Sequence, residues 1–105
     1  MIKILPIKYF KKDLKRLYKK YRNITIDLEK LNNNLLENPK LGTHLGDNIY
    51  KIRLANSLIN QGKSAGFRVI TYYIQDEMLY LIAIYSKNDM DNISKNDILK
   101  IIQSI

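Results

Sequence analysis

Cysteine is absent from the 105-residue chain, which removes disulfides, thiolate nucleophiles and Cys-based zinc sites and suits a reducing cytoplasm. Histidine occurs once, at His44, so chemistry needing two imidazoles is excluded, and no Ser-His-Asp arrangement finds support around it. His44 is expected to be a surface or structural residue in a loop. Converging carboxylates are also missing. The closest pair, Asp89 and Asp91, lies in a polar stretch better suited to a turn, so no metal and no small-molecule cofactor are expected. Gly62-Lys63-Ser64 has the letters of a phosphate loop but lacks the earlier glycine and a following helix. The longest apolar run, Met78 to Tyr85, is far too short for a bilayer, and MIKILPIKYF has no signal-peptide pattern. A chain that begins at or near Met1, without a membrane partner, is expected.

Acidic residues are scarce in two places. Residues 1–22 carry nine basic side chains against Asp13 alone, whereas residues 23–105 carry nine of each sign, so the whole net charge of +8 originates at the N-terminus. One-sided charge of this kind points to an anionic partner, although a merely solvated basic helix has the same composition. The second place is the stretch from Ile49 to Tyr73, which contains Lys51, Arg53, Lys63 and Arg68 and no acid. With 46% apolar and 27% charged residues, the chain has the composition of a folded domain, and its length fits one domain, 1–105.

Periodicity orders the elements. Ile2 to Leu5 reads as a short strand. From Lys8 to Tyr21, Phe10, Leu14, Leu17, Tyr18 and Tyr21 recur at helical spacing, with Lys8, Lys11, Lys12, Lys15, Arg16 and Lys19 on the other face. Asn23 or Thr25 can cap a second helix ending near Glu37, with Ile24, Leu28, Leu31, Leu35 and Leu36 as its stripe, and Asn38-Pro39 stops it. After a loop holding Gly42 and Gly46, the segments Ile49–Ala55, Phe67–Ile74 and Met78–Tyr85 read as strands. Asn56 to Ala65 is expected to be a mobile surface loop. Ser94 followed by Asp97 resembles a capping box opening a last helix with Ile98, Ile101, Ile102 and Ile105. The result is an α+β fold: a strand, a helical hairpin, three strands and a C-terminal helix.

Strand alternation sets Lys51 and Arg53 on one face, roughly 7 Å apart. If the three late strands form a meander, the ends carrying Arg53, Arg68 and Tyr85 meet at one rim, flanked by Lys63 and Lys87. Solvated rim cations would share this spacing. A functional reading is RNA cleavage, in which a base takes the 2′-OH proton, cations neutralise the phosphate and an acid protonates the 5′ oxygen. Arg suits the phosphate, and a Lys among other cations has its charged form disfavoured. Lys51 is then the base and Arg53 and Arg68 the clamps, while Lys63, Lys87 or Tyr85 serves as acid or substrate contact.

The blocks Tyr50-Lys51-Ile52-Arg53-Leu54-Ala55, Gly62-Lys63-Ser64-Ala65-Gly66-Phe67-Arg68-Val69-Ile70 and Leu81-Ile82-Ala83-Ile84-Tyr85-Ser86-Lys87-Asn88 resemble the HigB-like members of the RelE/ParE toxin superfamily. Asn38-Pro39-Lys40-Leu41-Gly42, Tyr72-Tyr73 and Asn92-Ile93-Ser94 continue the likeness over about the last two-thirds of the chain. The resemblance implies a RelE-like fold, a curved antiparallel sheet with an N-terminal helical hairpin and a C-terminal helix. It also implies a type II toxin that cuts mRNA in the ribosomal A site, with ribosomal RNA held by the basic helices and a cognate antitoxin as partner. By position, Lys51, Arg53, Lys63, Arg68 and Lys87 match the basic pattern of the ribonuclease branch. The histidine of some relatives is replaced here by Tyr85 and Lys87. A gyrase-inhibiting ParE-like toxin and a noncatalytic RNA-binding module are the alternatives.

Overall fold

A computed structural model describes residues 2–57, 66–75, 77–89 and 92–105. The elements run β1 (Lys3–Pro6), α1 (Lys8–Lys20), α2 (Ile24–Glu37), β2 (Thr43–Gly46), β3 (Ile49–Leu54), β4 (Phe67–Ile74), β5 (Met78–Ser86) and α3 (Lys95–Gln103). They form one five-stranded sheet in the order β1-β5-β4-β3-β2. Strands β2 to β5 are an antiparallel meander, and β1 lies parallel to β5 at the far edge.

Each face of the sheet is covered by a different part of the chain. On one side, Phe10 and Leu17 of α1 and Ile24, Leu28, Leu31 and Leu35 of α2 pack against Ile52, Leu54, Phe67, Val69, Leu79 and Ile84. The expected α1 and α2 stripes thus form this core, except that Tyr18 and Leu36 are exposed. Tyr18 lies one position round the helix from Leu17, and the Arg22 guanidinium sits 5.0 Å from its ring centre instead. On the other side, Ile49, Ile70, Ile82, Ala83 and Tyr85 meet Ile98 of α3. A register shift between Ile70 and Thr71 makes this possible: Ile70 faces Ala83 and Thr71 faces Leu81, so Ile82 is an extra residue and both Ile82 and Ala83 enter the α3 core. Ile105, expected on the α3 stripe, is exposed beyond the helix end.

The segment holding Gly42, His44 and Gly46, expected as a loop, contains strand β2. Four residues at a sheet edge carry too little β-branched or alternating signal to be read as a strand. What makes the strand is the two-residue turn that follows. Gly46 pairs with Ile49 across Asp47 and Asn48, whose φ angles of 52° and 65° give the doubly left-handed hairpin turn that matches sheet twist. Asp47 also meets Lys95 at 3.1 Å, linking the turn to the start of α3. His44 is exposed and stacks on Tyr50 at 4.8 Å between ring centres.

Helix starts follow their side chains. Ser94 Oγ accepts the Asp97 backbone N–H at 3.1 Å, as the capping-box spacing required. Asn23 occupies the α2 cap position but makes no side-chain cap bond. Its Nδ2 points into a buried cluster, donating to Asp27 Oδ2 at 3.0 Å and Asn56 Oδ1 at 2.8 Å, with Ser57 Oγ at 3.0 Å. The Ser57 backbone N–H donates to Asp27 Oδ2 at 3.2 Å. Asn56, expected in a mobile loop, is therefore buried and held against α2; residues 58–65 of that loop lie outside the described residues.

Candidate active site

The three late strands bring their cations together through register. Arg53 of β3 faces Arg68 of β4, and Arg68 faces Tyr85 of β5. Lys51 lies two residues before Arg53, on the same face. Lys87 follows β5, and its backbone N–H bonds to the Gly66 carbonyl at 2.9 Å, so the chain beyond the strand stays beside the start of β4. Helix α3 covers only part of this face. The remainder is a cleft of about 590 Å³ lined by Lys51, Arg53, Arg68 and Lys87, with Gly42, Thr43 and Leu45 as the wall from β2.

Among the described residues, no carboxylate lines this cleft. Four cations around one concavity repel one another and create a local positive potential, an arrangement that an anion relieves. Arg68 is the most enclosed of the four at 6% exposure, and one guanidinium nitrogen donates to the Phe67 carbonyl at 3.2 Å. Arg53 is exposed, and Lys51 and Lys87 are half-buried. The Lys51 amine donates to Asn92 Oδ1. Burial, followed by the charges of Lys87, Arg68 and Arg53, holds the Lys51 pKa below its ordinary value of 10.5.

Of the residues singled out in the sequence, Lys51, Arg53, Arg68 and Lys87 meet at the cleft. Lys63 lies outside the described residues. Tyr85 does not reach the cleft wall. It is 3% exposed, and its hydroxyl is buried beside the Ile93 backbone. Burial, more than any neighbour, raises its pKa above 10.0. The burial has a simple cause: Tyr85 shares the face of Arg68 but stands on β5, where α3 closes over the sheet. Sequence reasoning missed the β2 wall and Asn92. Asn92 belongs to a run of polar residues with no distinguishing spacing. Lys8, Lys11, Lys12, Lys15, Arg16 and Lys19 are exposed along α1, away from this cleft.

Gly42 shows how tightly the wall is built. Its φ is 101°, and a Cβ there would lie 2.5 Å from the Lys51 carbonyl oxygen and 2.9 Å from Ile52 Cγ1. Only glycine allows β2 to approach β3 so closely beside Lys51.

Residues 6–104 match the profile of the RelE toxin of the RelE/RelB toxin–antitoxin system. The chain belongs to the RelE toxin family. Its fold is also that of a solved structure of E. coli toxin RelE, a doubly arginine-to-alanine-substituted mutant in the free state. The TM-score is 0.60 at 18% identity, covering 97% of this chain and 95% of that one. As a RelE-family member the protein is the toxin of a type II pair, in a family of endoribonucleases, and its partner is an antitoxin. Among the described residues, no helix is long and apolar enough to cross a membrane.

Proposed function

We propose that this RelE-family toxin is a single-domain endoribonuclease that cleaves mRNA in the ribosomal A site without a metal and so stops translation in the cytoplasm. The observation that carries the reading is the cleft joining Lys51, Arg53, Arg68 and Lys87, lined by no acid among the described residues. Its four cations supply the charge that a divalent metal supplies in other nucleases. Lys51, with its charged form disfavoured, takes the proton of the 2′-OH. The resulting oxyanion attacks the adjacent phosphorus, and Arg68 and Arg53 hold the equatorial oxygens as negative charge builds. Lys87 protonates the departing 5′ oxygen, leaving a cyclic phosphate on one fragment and a 5′ hydroxyl on the other. Lys63 is a further candidate for substrate contact or for the acid. Buried Tyr85 backs Arg68 instead of meeting substrate.

The α1 cations Lys8, Lys11, Lys12, Lys15, Arg16 and Lys19 dock the toxin on ribosomal RNA, and the cognate antitoxin neutralises it by covering the cleft or preventing entry. The sequence blocks around Lys51, Arg68 and Lys87 support placing it in the HigB-like branch. Mapping transcript 5′ ends after brief expression, beside an Arg68→Ala control, tests the assignment. Codon-phased cuts that vanish in the control are expected. DNA damage with intact transcripts would replace the nuclease with a gyrase inhibitor.

A further inference from the structure

The Lys51 amine has a neighbour that neither charge patterning nor strand register anticipates. Asn92 precedes α3 and is exposed, and its side-chain carbonyl accepts a hydrogen bond from Lys51 Nζ across 41 positions of sequence. We propose that Asn92 is the positioning residue for Lys51, aiming its amine across the cleft while bringing no counter-charge to it.

The choice of an amide matters because of what else faces Lys51. Arg53 stands on the same strand, Arg68 on β4 and Lys87 after β5, while β2 presents uncharged Thr43 directly opposite. Asp47 and Asp89, acids in nearby turns, engage Lys95 at 3.1 Å and Lys20 at 3.8 Å instead. Asn92 is thus an uncharged anchor in a cluster of cations. A carboxylate of similar size would hold the amine equally well but would stabilise the ammonium by Coulomb attraction, fixing Lys51 as a permanent cation. The amide is a weaker acceptor for the ammonium and leaves the neutral amine accessible. An aliphatic residue would leave the charge balance intact but let the four-carbon side chain swing away from its neighbours.

Position 92 therefore separates orientation from charge. The inference rests on the base role proposed for Lys51, and its test is arranged to tell the two apart. The Lys51 titration is followed in the free toxin by heteronuclear NMR of the labelled lysine amine, assigned with Lys51→Arg. Single-turnover cleavage on ribosomes is measured against pH in parallel. Asn92→Asp is expected to raise the Lys51 midpoint by about one pH unit, as for other close opposite charges. Its cleavage should be about tenfold slower on the acid limb and recover at high pH. Asn92→Ala should lower the midpoint and reduce the plateau rate at every pH with KM unchanged, a split that a merely structural residue would not give.

An unmoved Lys51 midpoint in Asn92→Asp overturns the pairing. A midpoint that rises while the cleavage profile stays in place upholds the pairing and removes Lys51 as the base. Because the NMR readout needs no RNA, it decides the pairing even if the protein cleaves nothing. Asn92 is exposed, so both variants should fold.

Discussion

Arg53 and Arg68 are direct cross-strand partners on β3 and β4, two like charges facing one another at the floor of the cleft. Such pairs destabilise a sheet by up to about 1 kcal/mol relative to neutral ones, and here Arg68 is buried besides. Replacing Arg53 with Gln is therefore expected to raise stability by roughly 0.5 kcal/mol in urea denaturation while lowering cleavage. Arg68→Ala should lose on the order of a hundredfold or more in single-turnover rate, as when a preorganised transition-state partner is removed. Arg68→Lys should restore little of it, because an ammonium cannot reproduce the planar fork. Full activity in Arg68→Ala would remove this residue from the chemistry.

The docking role of α1 rests on summed charge, not on any single contact. The seven cations of α1 are exposed, and none lines the cleft. Any one Lys→Ala change should alter ribosome affinity only slightly, whereas replacing Lys8, Lys11, Lys12 and Lys15 together should weaken binding and flatten its salt dependence. Single-turnover cleavage at saturating ribosomes should be unchanged. A lower saturated rate in the fourfold variant would mean that α1 takes part in more than docking.

Lys51 links the cleft to stability through pH. Its folded-state pKa lies below the ordinary 10.5, so between the two values the unfolded chain binds more protons than the folded one. In that window stability rises with pH, and below it the penalty for holding a charged Lys51 is fully present. Lys51→Met abolishes this dependence. The stability of wild type relative to Lys51→Met should therefore increase as pH climbs toward 10.5, measured by denaturant titration at several pH values. A constant or falling difference would show that the cleft does not disfavour the charged amine.

Much of this was legible in the sequence because it followed from period alone. Phe10, Leu17, Leu28, Leu31 and Leu35 repeat at helical spacing and form the core under α1 and α2. Lys51 and Arg53 alternate on one face, and the meander brings Arg68 beside them. What escaped depends on geometry that no period encodes. Strand β2 exists because Asp47 and Asn48 close a tight turn and Gly42 permits a close approach. Tyr85 has the right strand and the right face, but α3 covers it, and how far a helix extends over a sheet cannot be read from either segment alone. The pairing of Lys51 with Asn92 likewise depends on where α3 begins in space.

The buried cluster around Asp27 offers a separate test, of how the chain leaving β3 is held. Asp27 is 3% exposed and lies on the first turn of α2, where its carboxylate accepts from Asn23 Nδ2 at 3.0 Å and from the Ser57 N–H at 3.2 Å. Burying a carboxylate is unfavourable unless donors compensate, and these donors come from both ends of the site's supporting frame. Asp27→Ala leaves the Ser57 N–H without its acceptor and costs about 2 kcal/mol. For a domain of this size that corresponds to a fall of roughly 8–16 °C in Tm. Asp27→Asn should be milder, because an amide oxygen in the place of Oδ2, where both donors converge, can still accept from them. If the two variants are equally stable, hydrogen bonding to Asp27 is not what holds the end of β3 against α2. Arg53 lies three residues before Asn56 on this tethered segment. Loss of the anchor should therefore also slow cleavage well below the unfolding temperature, with Arg53 less firmly placed beside Arg68.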